Sequence, residues 1–264
     1  MVFDFELTPA GAGRWSAVAS PAWVNPRRGV WGGFAIGLCV RVVEAEPESI
    51  GEPLSLAITF VSALPAGRLD VTTRRLRQGR SIGVWEVEIR PAGSDEICIH
   101  GVVTAARRPV TTRFAFARMP DMPPPEDLPF QERRGSQAQN DAFEWRAIGA
   151  DPPAMDHPAY TLAWVRSRQG AMDRALLGVL TDAAPPRVLH ALGDVMNTTL
   201  CLTVYFHATE EQLASAGGDY VLVEYDGRVG GGGASDERSS YWSRNGELLA
   251  TSEQLVWYRD TPEG

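Results

Sequence analysis

Asp182 is the residue of this sequence whose position most demands a chemical explanation. It lies between Leu180 and Ala183-Ala184, in a segment that is otherwise apolar. A carboxylate on such a segment is rarely fully buried without a polar partner or a function. The same position also fits an exposed carboxylate at a helix end before Pro185. Other motifs are better explained by turns. The pattern Gly79-Arg80-Ser81-Ile82-Gly83 matches GxSxG, but it leads into the alternating stretch VWEVEIR, a strand, whereas a nucleophile elbow must open a helix. Gly230–Gly233 lacks GxGxxG spacing and a following helix, so it reads as a hairpin. The arginine pairs Arg27-Arg28 and Arg107-Arg108 and the run Arg74–Arg77 suit either a phosphorylated ligand or a solvated strand face.

The elements that must position Asp182 come in two similar sets. Met119–Gln139 carries prolines at 120, 123, 124, 125 and 129, which hold the chain extended, so it reads as a linker. This predicts an N-terminal unit over 1–108, a linker over 109–139 and a C-terminal unit over 140–264. In the first unit, strands at 3–8 and 14–19 precede GVWGGFAIGLCVRVVEA, apolar nearly all round as expected of a helix enclosed by a sheet. Strands at 55–61, 69–76, 82–89 and 96–105 follow, separated by turn residues. The second unit repeats that order: strands at 143–148 and 160–165, a helix over 172–192 that Pro185-Pro186 must bend or break, then strands at 198–206, 220–229, 239–243 and 248–258. Two copies of a helix on an antiparallel sheet make an α+β architecture. A repeat this long is a domain duplication.

Laying the halves over each other aligns LAITF (56–60) with LCLTV (200–204) and GVWGGFA (29–35) with GVLTDAA (178–184). Asp182 then falls opposite Gly33, Thr199 opposite Ser55, and Gln254 opposite Val102. Thr199 and Gln254 are ordinary strand residues alone, but together the three concentrate polarity in one copy, which predicts one site per chain.

These residues resemble the acyl-CoA thioesterase II-like, double hot-dog family over about 3–108 and 140–260. The carriers are VWGGFAIG, LRQGRS, LTDAAPP, NTTLCLTVYFH and NGELLATSEQLVWYR. The resemblance implies two tandem hot-dog units, each sheet wrapped around a long central helix, and hydrolysis of acyl-CoA to fatty acid and CoA. It implies that Asp182, Thr199 and Gln254 orient and activate the hydrolytic water. For the oxyanion, the chemistry needs donors such as the backbone N–H groups near Gly32 and Gly33 at the first helix start. The resemblance further implies association of double units into a homo-oligomer. Two rival readings are a hot-dog protein that binds acyl-CoA without turnover and a hot-dog enoyl-CoA hydratase, which would set a histidine beside its aspartate.

Composition narrows the field. The chain of 264 residues contains no lysine, which excludes Schiff-base and P-loop chemistry. A formal net charge of −8 argues against nucleic acid as a partner. Cys39, Cys98 and Cys201 are scattered in apolar runs and read as small buried hydrophobes, and the four histidines show no metal-ligand spacing, so neither a metal nor a retained cofactor is expected. With no membrane-length apolar run and no signal-like N-terminus, a cytoplasmic protein that does not contact membrane is expected.

Overall fold

The computed structural model of the chain describes residues 5–25, 29–131, 141–147 and 160–260. Arg27-Arg28 and the expected strand residues Phe3, Asp4 and Ile148 lie outside them. The first half contains β1 (Thr8–Gly11), β2 (Arg14–Ala19), helix α1 (Gly32–Ala45), β3 (Glu52–Phe60), β4 (Gly67–Gln78), β5 (Ile82–Pro91) and β6 (Ile99–Ala106). The second contains β7 (Phe130–Gln131), β8 (Phe143–Arg146), β9 (Tyr160–Ser167), α2 (Arg174–Leu180), α3 (Val188–Leu192), β10 (Met196–Phe206), α4 (Glu210–Ala216), β11 (Val221–Gly231), β12 (Ala234–Ser243) and β13 (Leu248–Arg259).

The thirteen strands among the described residues form one antiparallel sheet in the order β1-β2-β4-β5-β6-β3-β10-β13-β12-β11-β9-β8-β7. The halves meet edge to edge where β3 pairs with β10, with Ile58 opposite Leu202 and Leu56 opposite Val204. Each half thereby covers the edge strand the other would leave open. The sheet curls around α1, whose residues from Gly33 to Val43 are all buried except Arg41. One apolar core runs through both halves, from Phe5 and Val71 to Val223 and Leu249.

The two central helices pack antiparallel. Their close approach depends on glycine: a Cβ on Gly37 would lie 2.6 Å from Val179 Cγ2, and one on Gly33 would lie 2.8 Å from the Val179 carbonyl oxygen. Arg41 closes the far end of the seam on Asp173, the N-cap of α2, at 2.6 Å. The expectation of a long central helix in each half holds only for the first. The second spans two turns, ends at Leu180 and resumes as the five-residue α3, because Pro185-Pro186 supplies no donors and blocks the preceding turn. Buried Arg174 ties the halves together further, since it reaches Glu52 of the first half, Glu210 at 2.5 Å and the Ala208 carbonyl at 3.0 Å.

The Pro-rich segment does more than connect. Over 119–128 it lies on the outer face of the second half's sheet: Met119, Met122 and Leu128 pack on Trp164, Tyr220, Leu222 and Trp242. The Trp164 indole N–H donates to the Pro123 carbonyl at 2.8 Å, and β7 adds a strand beside β8. Ser81 lies in the β4–β5 connection and Gly232-Gly233 in the β11–β12 hairpin, as their turn residues predict. Of the cysteines, Cys39 and Cys98 are buried but Cys201 is exposed, because a β-bulge after Thr199 turns it outward.

Candidate active site

The site is built where the end of α2 meets the start of α1. Asp182 follows the last turn of α2, and its Oδ2 stands 2.7 Å from where a Cβ on Gly32 would be. The Gly33 N–H donates to the Asp182 carboxylate, and the Trp31 indole lies beside it while donating to the Asp182 main-chain oxygen at 2.8 Å. Free N–H groups and the positive end of α1 favour an anion there. Burial acts the other way and prevails: with Glu237 nearby adding like-charge repulsion, the Asp182 carboxyl is pushed up to about 7. Asp182 is half-buried as a residue, and of the two readings open for it the one with polar partners at the carboxylate is realised.

GVWGGFA and GVLTDAA are nonetheless not structural counterparts. The first opens α1 and the second closes α2, so Gly33 is a neighbour of Asp182 across an antiparallel seam. The strand alignment also shifts. Both joining strands carry one bulge, between Pro53 and Ser55 in β3 and between Thr199 and Cys201 in β10. Matching the bulges sets Thr199 against Pro53, Leu202 against Leu56 and Gln254 against Val103. The apolar alternation repeats every two residues, so a string match slips by two without penalty, and a slip of one puts Val102 on the outer face.

Thr199 and Gln254 both face inward. Thr199 pairs with Val256, and Gln254 pairs with Leu202 on one side and Glu237 on the other. Thr199 and Gln254 lie on adjacent strands with the β10 bulge between their pairing positions. The Gln254 Oε1 is buried with no hydrogen-bond partner among the described residues. Asp182 joins this group through Glu237, whose charge acts on it.

Two residues of the cluster were not anticipated. Glu237 is buried and pushed up to about 7, chiefly by burial, while its Oε2 accepts the Arg187 backbone N–H at 2.6 Å. Arg187 is also buried; its guanidinium donates to Thr161 Oγ1 and the Pro185 carbonyl, both at 2.6 Å, and stacks 5.0 Å from the Tyr225 ring centroid. The signal that could have found it is a basic residue directly after Pro-Pro in an apolar context. Next along the same inner face, Tyr241 approaches Ser252 at 3.4 Å, and burial pushes its phenol upward.

Two histidines have neighbours far from this cluster: His100 contacts Glu86 at 3.0 Å and His207 contacts Thr251 at 3.0 Å. Among the described residues, one group has metal-ligand geometry, Glu86, Glu88 and His100, but Arg74 and Arg90 already pair with its carboxylates. No described helix is long and apolar enough to cross a membrane.

Known proteins match this architecture throughout. A hot-dog-fold protein of unknown function from Alicyclobacillus acidocaldarius superposes with a TM-score of 0.91 at 25% identity, covering 98% of each chain. A putative thioesterase II from Thermobifida fusca does so at 0.84 with 20% identity, covering 98% of this chain and 97% of that one. An acyl-CoA thioesterase II from Mycobacterium marinum gives 0.74 with 17% identity, covering 99% and 98%. No curated protein matches in sequence. Residues 20–106 match the acyl-CoA thioesterase N-terminal domain, and residues 117–258 match the acyl-CoA thioesterase C-terminal domain. The chain therefore belongs to the acyl-CoA thioesterase family and is a thioester hydrolase of double hot-dog fold.

Proposed function

We propose that the protein hydrolyses acyl-CoA by direct attack of a water molecule for which Asp182 is the general base. The observation that carries this reading is a carboxylate set against the N-terminus of α1, its proton affinity pushed up toward neutrality by burial, in the half whose β12 and β13 turn polar residues inward. A base of that strength is partly ionised at pH 7 and strong enough to accept a proton from water as attack proceeds. Thr199 and Gln254 hold the water by hydrogen bonds from the sheet side.

Attack forms the C–O bond and moves the carbonyl π electrons onto oxygen. Collapse of the tetrahedral intermediate breaks the C–S bond and releases the CoA thiolate, which takes up the proton that Asp182 gained. The leaving thiol has a pKa of about 8.5, so no stronger acid is needed. The positive end of α1 stabilises the oxyanion. Gly32 and Gly33 form the wall along which the carbonyl approaches, and a side chain at 32 would collide with Asp182. Coenzyme A enters as part of the substrate.

Thiol release from a panel of acyl-CoAs of increasing chain length tests the reading. Wild type should release thiol from at least one member, and Asp182→Asn should not. A wild type that binds acyl-CoA without releasing thiol would leave a binding protein. An active Asp182→Asn variant would remove Asp182 from the mechanism. Hydration of an enoyl-CoA would favour the hydratase alternative, which no histidine contact described above supports.

A further inference from the structure

Glu237 is a buried carboxyl that the proposed water attack does not use. It lies on the inner face of β12, directly opposite Gln254 on β13. Cross-strand partners have Cβ atoms about 4.5–5.5 Å apart, within reach of one hydrogen bond between their side chains. Three observations bear on its protonation. First, Gln254 Oε1 is an acceptor buried without a donor among the described residues, which costs about 1–3 kcal/mol unless a donor is supplied. Second, Glu237 uses Oε2 to accept the Arg187 backbone N–H, and this leaves Oε1 to carry a proton. Third, the Arg187 guanidinium donates to Thr161 and the Pro185 carbonyl and stacks on the Tyr225 ring; its charge and its backbone N–H favour the Glu237 anion, but burial outweighs them and leaves the acid favoured.

The remaining charged neighbours favour the same state. Asp182 faces Glu237 from the loop after α2, and Asp236 adjoins it on its own strand; both are acidic and repel a second anion. Tyr241 on β12 also belongs to the cluster, with a phenol that burial pushes up and keeps neutral, and the Tyr225 ring of β11 packs edge-on against it. When two such carboxyls share one proton, the pair titrates in two macroscopic steps. The two sites are unequal. Each carboxyl accepts one backbone N–H, Asp182 from Gly33 and Glu237 from Arg187; what differs is that Asp182 stands at the positive end of α1, which favours its anion, whereas Glu237 has an acceptor opposite it, which favours its acid.

We propose that Glu237 is a positioning residue: held as a neutral acid, it donates to Gln254 Oε1 and so turns the Gln254 amide N–H2 toward the water beside Asp182. This rests on the assignment of Asp182 as the base. It predicts that the pair's single proton at neutral pH sits on Glu237 and leaves Asp182 free to act.

The test combines kinetics with a direct view of the proton. Glu237→Val, which carries no donor, should lower kcat on the best acyl-CoA of the panel by about tenfold to a hundredfold, with KM within about twofold. Glu237→Gln, which keeps an N–H donor, should restore most of that loss. In wild type, the 13C carboxyl resonance of Glu237, identified by its absence from Glu237→Gln, should be that of a protonated acid at pH 6 and remain so while Asp182 ionises. An ionised Glu237 at pH 6 would overturn the proposal, as would a Glu237→Gln variant no better than Glu237→Val. The resonance reports even if Glu237→Val fails to fold. Failure of the Asp182 reading is distinguishable, because it would appear as an active Asp182→Asn variant whatever the state of Glu237.

Discussion

The two halves share strand order and a bulge in each joining strand, but their inner sheet faces differ in kind. In the first half, the face under α1 presents Val71, Trp85, Val87, Ile89 and Val103, all buried and apolar. In the second, β12 and β13 present Glu237, Ser239, Tyr241, Ser252 and Gln254, while β11 keeps Val221 and Val223. With the bulges matched, Glu237 stands where the first half has Trp85, and Gln254 where it has Val103. Each apolar residue buried in the first half stabilises by about 1.5–3 kcal/mol. Each polar replacement forgoes that gain and needs a partner. The outer faces divide the opposite way: the first half's is a ladder of ion pairs such as Arg74–Glu86 and Arg90–Glu88, whereas the second half's is covered by the Pro-rich segment. One half of the duplicated fold thus packs apolar residues at these positions, and the other buries the polar groups to which the proposed chemistry is assigned.

The sharpest way to break this comparison is to mutate both faces. Asp182→Asn should reduce kcat at least about a thousandfold, by loss of the base, whereas Val103→Thr in the first half should change it less than about threefold. Comparable losses from both would mean that the site spans both sheets. The next largest effect is on pH. With Asp182 raised to about 7, kcat/KM should climb about tenfold per pH unit below 7 and level off above it, so activity at pH 5 should be about a hundredfold below the plateau. A flat profile from pH 5 to 8 would remove a near-neutral base from the free enzyme.

Packing at the seam affects both halves equally. Gly37→Val places a side chain into Val179 and Phe5 and should cost about 1–3 kcal/mol, read as a lower urea midpoint with no change of slope. The smallest effect sharpens the trade. The folded-state pKa of Asp182 is raised, from an ordinary 3.8 to about 7, so the folded state holds the proton more tightly. Its contribution to stability is complete below about pH 4 and is lost as pH rises through 7. Asp182→Asn should therefore flatten this decline and melt about 2–4 °C above wild type at pH 8, a gain on the order of 1 kcal/mol. An unchanged or lower melting temperature there would deny that Asp182 is held against a desolvation cost.

Much of the fold was legible because each element announces its own period. VWEVEIR alternates, GGFAIGLCVRVV is apolar all round, and the strand limits at 82, 206 and 258 lie within a few residues of β5, β10 and β13. Asp182 was legible as a carboxylate out of place. Glu237 was not, because it lies in SDERSS, a polar run with no alternation; only the pairing of β12 with β13 turns it inward. Cys201 looked buried because the residues around it are apolar, and the bulge that exposes it leaves no mark in composition.

What the chain determined by itself is the duplication, the two helix seeds, the proline break after Asp182 and the placing of polarity in one copy, all of them local or repeated patterns. Tertiary structure alone decided which residues share a face across strands. That depends on register, and an apolar alternation of period two leaves register open to a slip of two residues. It took the bulges at Leu54 and Leu200, together with the antiparallel helix seam, to set Gln254 against Glu237 and Asp182 against Gly32.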